Sequence, residues 1–287
     1  MFDSIERSWR LVKASYNVLQ SDRELLVYPV VSFIGSILVV ITFFLPMLVA
    51  GLFDGLTRGD SLGIASIVIM FLFYLVMYTV VIFSNTALVG GAMIRLNGGD
   101  PTLADGFKIA RDRFPKIVGY ALVSATVGMI LRAVSERGGL VGQIIIGIIG
   151  FVWSIATFLV VPVLVVEDIG PIDAVKRSAE LLKRTWGEQI TANFGFSAVF
   201  GLISFGIIML GIVLMAFFGS LQATALVLLA GLGMVLALIA VGLLSSTLSG
   251  IYQAALYRYA TEGVVPEGFS DDMIQGAFKE KRKRGLF

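Results

Sequence analysis

From Gln189 to Tyr257 the chain carries not one Asp, Glu, Lys or Arg. That run is too long for a single membrane crossing, since about 20 apolar residues traverse ~30 Å of hydrocarbon. It is the right length for two crossings joined by a tight turn near Phe218–Gln222. Residues 25–53, 61–94, 117–131 and 141–166 are likewise free of charge, so the pattern predicts an all-α integral membrane protein with six transmembrane helices. With 57% hydrophobic and 15% charged residues, the chain has no soluble alternative. The run 61–94 is unusually long and should tilt or project beyond the bilayer. The run 117–131 is short, so Lys116 and Arg132 should snorkel to opposite interfaces. Pro46 and Pro162 lie within the first and fourth spans, where a missing N–H favours a kink.

Between these spans lie three short basic helices with one apolar stripe each. In 171–186 the stripe is Ile172, Val175, Ala179, Leu182 and Trp186, against Lys176, Arg177, Lys183 and Arg184. In 4–20 it is Ile5, Trp9, Val12, Tyr16 and Leu19, and after Asp100-Pro101, the expected cap and first position, it is Leu103, Phe107, Ala110 and Phe114. Helices of this kind lie along a membrane surface. Their aromatics Trp9, Tyr16, Phe107, Phe114 and Trp186 are expected interfacial anchors.

Ser8 to Tyr16, Gly106 to Phe114 and Ser178 to Trp186 align on a small residue, two apolar ones, a base and a closing aromatic, at offsets of about 98 and 72 residues. The reading is a single membrane domain over 1–287 built by a threefold internal repeat, with units roughly 1–95, 96–166 and 167–260 and a basic tail over 261–287. Three of the 22 bases, Arg58, Arg132 and Arg137, lie on one side of this topology and all others on the opposite side. The positive-inside rule then puts the three surface helices and both termini in the cytoplasm. The polar, mixed-charge opening of the chain is not expected to be a cleavable signal. At that end, Glu6-Arg-Ser-Trp-Arg-Leu-Val-Lys-Ala-Ser15, Asp22-Arg-Glu-Leu-Leu26 and Tyr28-Pro29 resemble an uncharacterised prokaryotic multi-pass family, domain of unknown function 6159. The resemblance implies a prokaryotic inner-membrane protein and carries no activity with it.

The chain has no cysteine and no histidine, which removes thiolate chemistry, Cys/His zinc sites and a Ser-His-Asp arrangement. Glu167, Asp168 and Asp173 could hold a divalent cation, but acids beside a helix N-terminus are ordinary dipole partners. Asn97-Gly-Gly99 lacks the Lys-Ser/Thr of a phosphate loop. No catalytic, cofactor or metal residues are therefore assigned. Asn85, Asn193, Ser245, Ser246, Thr247 and Ser249 are polar groups in the spans, read as interhelical hydrogen bonds or as a solute path. Gly142, Gly147 and Gly150, Ser124 with Gly128, and Ser197 with Gly201 have a spacing that suits close helix packing. Lys281, Arg282, Lys283 and Arg284 suit anionic headgroups. The function expected is a non-enzymatic scaffold or accessory subunit organising membrane lipids or partner proteins, as a homo- or hetero-oligomer and without nucleic acid. The alternative is a small-solute channel or transporter.

Overall fold

The computed structural model describes residues 2–49, 64–137, 139–186, 193–266 and 269. The regular elements among them are all helical: α1 Phe2–Ser21, a 3-10 turn Arg23–Leu26, α2 Val27–Val49, α3 Ile64–Leu96, α4 Leu103–Asp112, α5 Phe114–Arg137, α6 Gly139–Ala156, α7 Val160–Val166, α8 Pro171–Trp186, α9 Asn193–Ser220 and α10 Thr224–Glu262. Six stretches are long and apolar enough to cross a membrane: Arg23–Pro46, Ile67–Leu96, Phe114–Ser135, Gly142–Val166, Ala198–Ser220 and Thr224–Glu262. This is the architecture of a multi-pass membrane protein. The third stretch is longer than its uncharged run because both Lys116 and Arg132 lie within the helix.

The fourth stretch is not one helix. It stops at Ala156, turns through Thr157–Leu159 and restarts at Val160. Pro162 supplies the reason, because it has no N–H to give the carbonyl of Phe158 and is tolerated only in a helix's first turn. The amide of Leu159, left without a helical partner by the break, donates to the Ser178 hydroxyl of α8 at 3.0 Å, and both residues are fully buried.

Two expected helix ends also move. The cap of α4 is Thr102, not Asp100: Thr102 and Asp105 form a reciprocal capping box, which satisfies two N-terminal amides where Asp-Pro would satisfy one. Phe114 does not close α4 but opens α5: the two helices part at Arg113, and Pro115 has no N–H with which to continue α4 onto the Arg111 carbonyl.

The helices assemble unevenly along their length. α1, α4 and α8 gather at one end, among the C-terminal ends of α3, α7 and α10. Here lies the core, with Leu25, Tyr28, Leu88, Ile117, Leu159, Leu164, Leu181, Ile251 and Leu256 almost without exposure. α3 has 33 residues and α10 has 39, about 50 and 58 Å of helix against ~30 Å of hydrocarbon, so both extend into this layer. At the far end, between residues 201 and 246, only Gly211 is buried.

The contacts run in a ring. α1 packs on α9 and α10, α4 on α3, and α8 on α5, α6, α7 and α10. Each short helix thus rests on the hairpin of spans that precedes it, and the first rests on the last.

Candidate functional site

The layered end concentrates the charge and most of the tertiary polar contacts, and its linkers show how. Tyr28, in the first turn of α2, sends its hydroxyl to the carbonyl of Leu103 at 3.2 Å, while Glu24 accepts from the Leu103 amide at 3.0 Å. The first turn of α4 is thereby fastened to the start of α2. Phe107 of α4 lies edge-on to Tyr28 at 5.1 Å and stacks on Phe83 at 6.3 Å. It is partly buried and packs against the core. Gly106 makes this approach possible: a Cβ there would lie 2.1 Å from the Tyr28 hydroxyl and 2.7 Å from the Ala87 carbonyl.

In the last turn of α3, Arg95 donates to the carbonyls of Ser21 at 3.0 Å and Gly99 at 3.2 Å and pairs with Asp100 at 3.3 Å. It borders a cavity of about 510 Å³ with Asn17, Ser21 and Gly98. Gly98 holds a left-handed conformation, φ 81°, and closes a Schellman turn. Next to Arg95, Asp22 is buried with one carboxylate oxygen unpartnered. Burial raises its pKa, and the charge of Arg95 opposes that rise only in part.

After α7, neighbouring acids take separate partners. Glu167 accepts from Arg177 at 3.0 Å and from the Tyr257 hydroxyl at 3.0 Å. Asp168 binds Lys116 closely and Arg113 at 2.8 Å, contacts that hold its pKa below the usual carboxylate value. Asp173 pairs with Lys176 at 3.1 Å. The three carboxylates read as a candidate metal set therefore face three different sets of cations. Arg258 of α10 closes the layer by donating to the Leu96 carbonyl and pairing with Glu262.

α1 and α8 bury a face that overlaps their apolar stripes only in part. α1 buries Leu11, Val12, Ser15, Val18 and Leu19, leaving Trp9 53% and Tyr16 41% exposed. α8 buries Ala174, Ser178, Leu181 and Leu182, leaving Ile172 61% exposed. At 100° per residue the buried face is about a quarter-turn from the expected stripe in both helices, and in the same sense. The apolar arc is wider than the protein contact, and part of it remains outside.

Among the other residues singled out from the sequence, Phe114 is exposed but touches Phe83 edge-on at 6.2 Å. Asn85 is half-buried on α3 between buried Ser84 and Thr86. Thr247 is buried and turns its hydroxyl back to the Leu243 carbonyl at 2.9 Å, Ser249 accepts from Gln253 at 3.4 Å, Ser245 is half-buried and Ser246 is exposed. Trp186 ends α8 and Asn193 begins α9, but their side chains lie outside the described residues, as do Lys281, Arg282, Lys283 and Arg284. The close packing expected at Gly147, Gly150 and Gly201 is not found, since a Cβ at each meets nothing within 4 Å. Between one long span and another, tight contacts fall instead at Gly35 on Val80, Gly211 on Met234 and Gly250 on Leu88, where crossing helices pair. Spacing finds small residues but not which side of the helix has a neighbour.

No curated protein and no solved structure matches this chain. The family match spans residues 64–267, covering α3 to α10 and beginning after the N-terminal residues on which the resemblance was drawn. The layer of short helices on broken and extended spans is thus the architecture of a chain that belongs to DUF6159, a family of unknown function.

Proposed function

We propose that the protein is a non-enzymatic scaffold of a prokaryotic cytoplasmic membrane, which organises lipids or partner proteins through three interfacial helices on its cytoplasmic side. The observation that carries this reading is α1. Its inner face is buried in the protein, Trp9 and Tyr16 are exposed on one flank, and Arg10 and Lys13 lie on the next. A helix so divided has an apolar flank for the acyl boundary and a basic one for anionic headgroups. Ile172 repeats the arrangement on α8.

The ring of contacts supports the threefold repeat. The aligned small residues Gly106 and Ser178 both sit against the end of the preceding hairpin, on the Ala87 carbonyl and the Leu159 amide. Equivalent positions thus do equivalent work in two units. The positive-inside count supports cytoplasmic termini.

The test uses Trp9 as the sole tryptophan, with Trp153→Phe and Trp186→Phe, in bilayers containing brominated lipid. Trp9 fluorescence should be quenched by the bromolipid and shielded from aqueous iodide. Full iodide quenching without bromolipid quenching overturns the reading. Cysteine at Ser135 should react with an impermeant maleimide from outside and cysteine at Ser4 should not; equal labelling of both removes the orientation.

One observation favours a transporter as the second reading. The fourth span is interrupted at Thr157–Leu159, and broken helices in membranes commonly bring backbone groups to a substrate. Solute flux in liposomes that Ser178→Ala alters without unfolding the protein would replace the scaffold by this reading.

A further inference from the structure

Going round α1 from its exposed aromatics, the surface changes from apolar to basic to neutral and polar. At about 100° per residue, Lys13 lies about 60° from Tyr16, Asn17 and Arg10 about 100–120°, and Ser21 about 140°. Trp9 and Tyr16 make the apolar edge. Lys13 and Arg10 are exposed and have no partner among the described residues. Asn17, Val18 and Ser21 then form one wall of the cavity of about 510 Å³, which α1 shares with Arg95 and the turn that follows it. Asn17 and Ser21 are exposed, so the cavity opens on the surface beside the two bases.

This cavity is polar without offering a charge. Arg95 donates to two carbonyls and pairs with Asp100, so its charge is already met. The Asn17 side chain makes no hydrogen bond among the described residues, which leaves an amide donor and an amide acceptor at the cavity's edge. Ser21 gives its proton to the Asn17 carbonyl at 3.2 Å and keeps lone pairs for an incoming donor. Such a lining suits an uncharged hydroxyl, which donates and accepts at once. An ammonium group would meet the Arg95 guanidinium, and a second anion would find that guanidinium taken.

Apolar edge, unpaired bases and hydroxyl-binding cavity follow the order of groups along a glycerophospholipid. We propose that this side of α1 seats one phospholipid with an uncharged, hydroxylated headgroup: its phosphate on Lys13 and Arg10, its headgroup hydroxyls on Asn17 and Ser21, its chains against Trp9 and Tyr16. Lys13 and Asn17 are one turn apart, about 5–6 Å between Cβ atoms, within the reach of a glycerol esterified to the phosphate. The seat rests on the interfacial placement of α1 proposed above and adds a choice among headgroups.

The experiment titrates the purified full-length protein in maltoside detergent with phosphatidylglycerol, phosphatidylmethanol and phosphatidylethanolamine of the same chains, reading bound lipid by native mass spectrometry. The first two carry the same charge and differ in the headgroup hydroxyls. Wild type should bind one phosphatidylglycerol about fivefold more tightly than phosphatidylmethanol, the usual worth of one hydrogen bond, and phosphatidylethanolamine more weakly than either. Asn17→Leu, at an exposed position, should abolish the preference for phosphatidylglycerol and leave the binding of phosphatidylmethanol as it was. Lys13→Gln with Arg10→Gln should weaken both anionic lipids roughly tenfold. The proposal is overturned if wild type holds phosphatidylglycerol and phosphatidylmethanol equally, a result that needs no variant to fold, or if folded Asn17→Leu keeps the preference. Displacement of the lipid by glycerol 3-phosphate would overturn it too, because the occupant would then not be a lipid. Bromolipid quenching of Trp9 without any choice among headgroups would remove the seat and leave the interfacial helix standing.

Discussion

The two ends of this molecule are held by different forces. At the layered end, short charged helices cover the ends of the spans, and their apolar faces leave water when they dock. Each large side chain buried there contributes about 1.5–3 kcal/mol by that transfer. At the far end, apolar side chains such as Leu210, Leu228 and Leu236 are more than half exposed. In a bilayer that exposure costs nothing, because acyl chains are as apolar as leucine and give helices no hydrophobic reason to associate. One sequence composition therefore produces a packed core where water reaches and separate hairpins where it does not. Burial in the layered end specifies the fold, and the outer halves of the spans are chiefly a matter of length and apolarity.

A glycine substitution at each end gives the sharpest test. Gly106→Ala drives a methyl group into the Tyr28 hydroxyl and the Ala87 carbonyl, and neither can retreat within a packed core. A loss of about 3 kcal/mol is expected, the upper part of the usual overpacking range, read as a lowered unfolding midpoint in detergent. Gly147→Ala meets open space and should gain up to ~1 kcal/mol of helix propensity. Equal effects at the two positions would break the comparison. Next in size is Ser178→Ala, which leaves the buried Leu159 amide without its partner at the helix break and should cost about 2 kcal/mol.

How much of this was legible follows the same division. The spans could be read because a bilayer demands runs without charge, and that demand is local to the sequence. The layer could not be read as well, because it depends on which elements meet. Periodicity found the apolar arcs of α1 and α8, yet an arc wider than its contact does not say which flank a neighbour covers. The contacts of Phe107 with Tyr28 and Phe83 had no local signal, because both partners lie far off in sequence. The break at Thr157–Leu159 had a local signal in Pro162, but a kink and a full restart differ only by the arrival of Ser178.

Two carboxylates of the layer should respond to acid in opposite directions. Asp168 has its pKa lowered by Lys116 and Arg113, so the stability it contributes is fully present above 3.8 and is lost as pH falls through the lower folded value. The pKa of Asp22 is raised from 3.8 by burial. The folded state then holds that proton more tightly, and stability declines as pH rises from 3.8 through the raised value. At neutral pH Asp22→Asn should stabilise the protein and Asp168→Asn destabilise it. Melting curves at neutral pH and below 3.8 check both, since each difference should shrink in acid. A loss with Asp22→Asn at neutral pH would mean that the pairing of Asp22 with Arg95 outweighs its burial.

The smallest effect belongs to the far end, where a turn is held by its own chain. α9 ends in a Schellman motif: the Ala223 amide donates to Phe218 at 3.0 Å and the Gln222 amide to Gly219 at 2.9 Å. Gln222 occupies the left-handed position with φ 54°, where its Cβ crowds the following carbonyl oxygen and glycine would not. Gln222→Gly should remove that strain but also loosen the unfolded chain, so the net expectation is a gain of about 0.5 kcal/mol, close to the resolution of a careful unfolding titration. Its sign matters more than its size. The Gln222 side chain is exposed, so if the turn rests on local backbone geometry alone, nothing is lost by removing it. A clear destabilisation would mean that the side chain holds a lipid headgroup or a second subunit at the far end, and the contrast between a specified layer and an unspecified outer half would no longer stand.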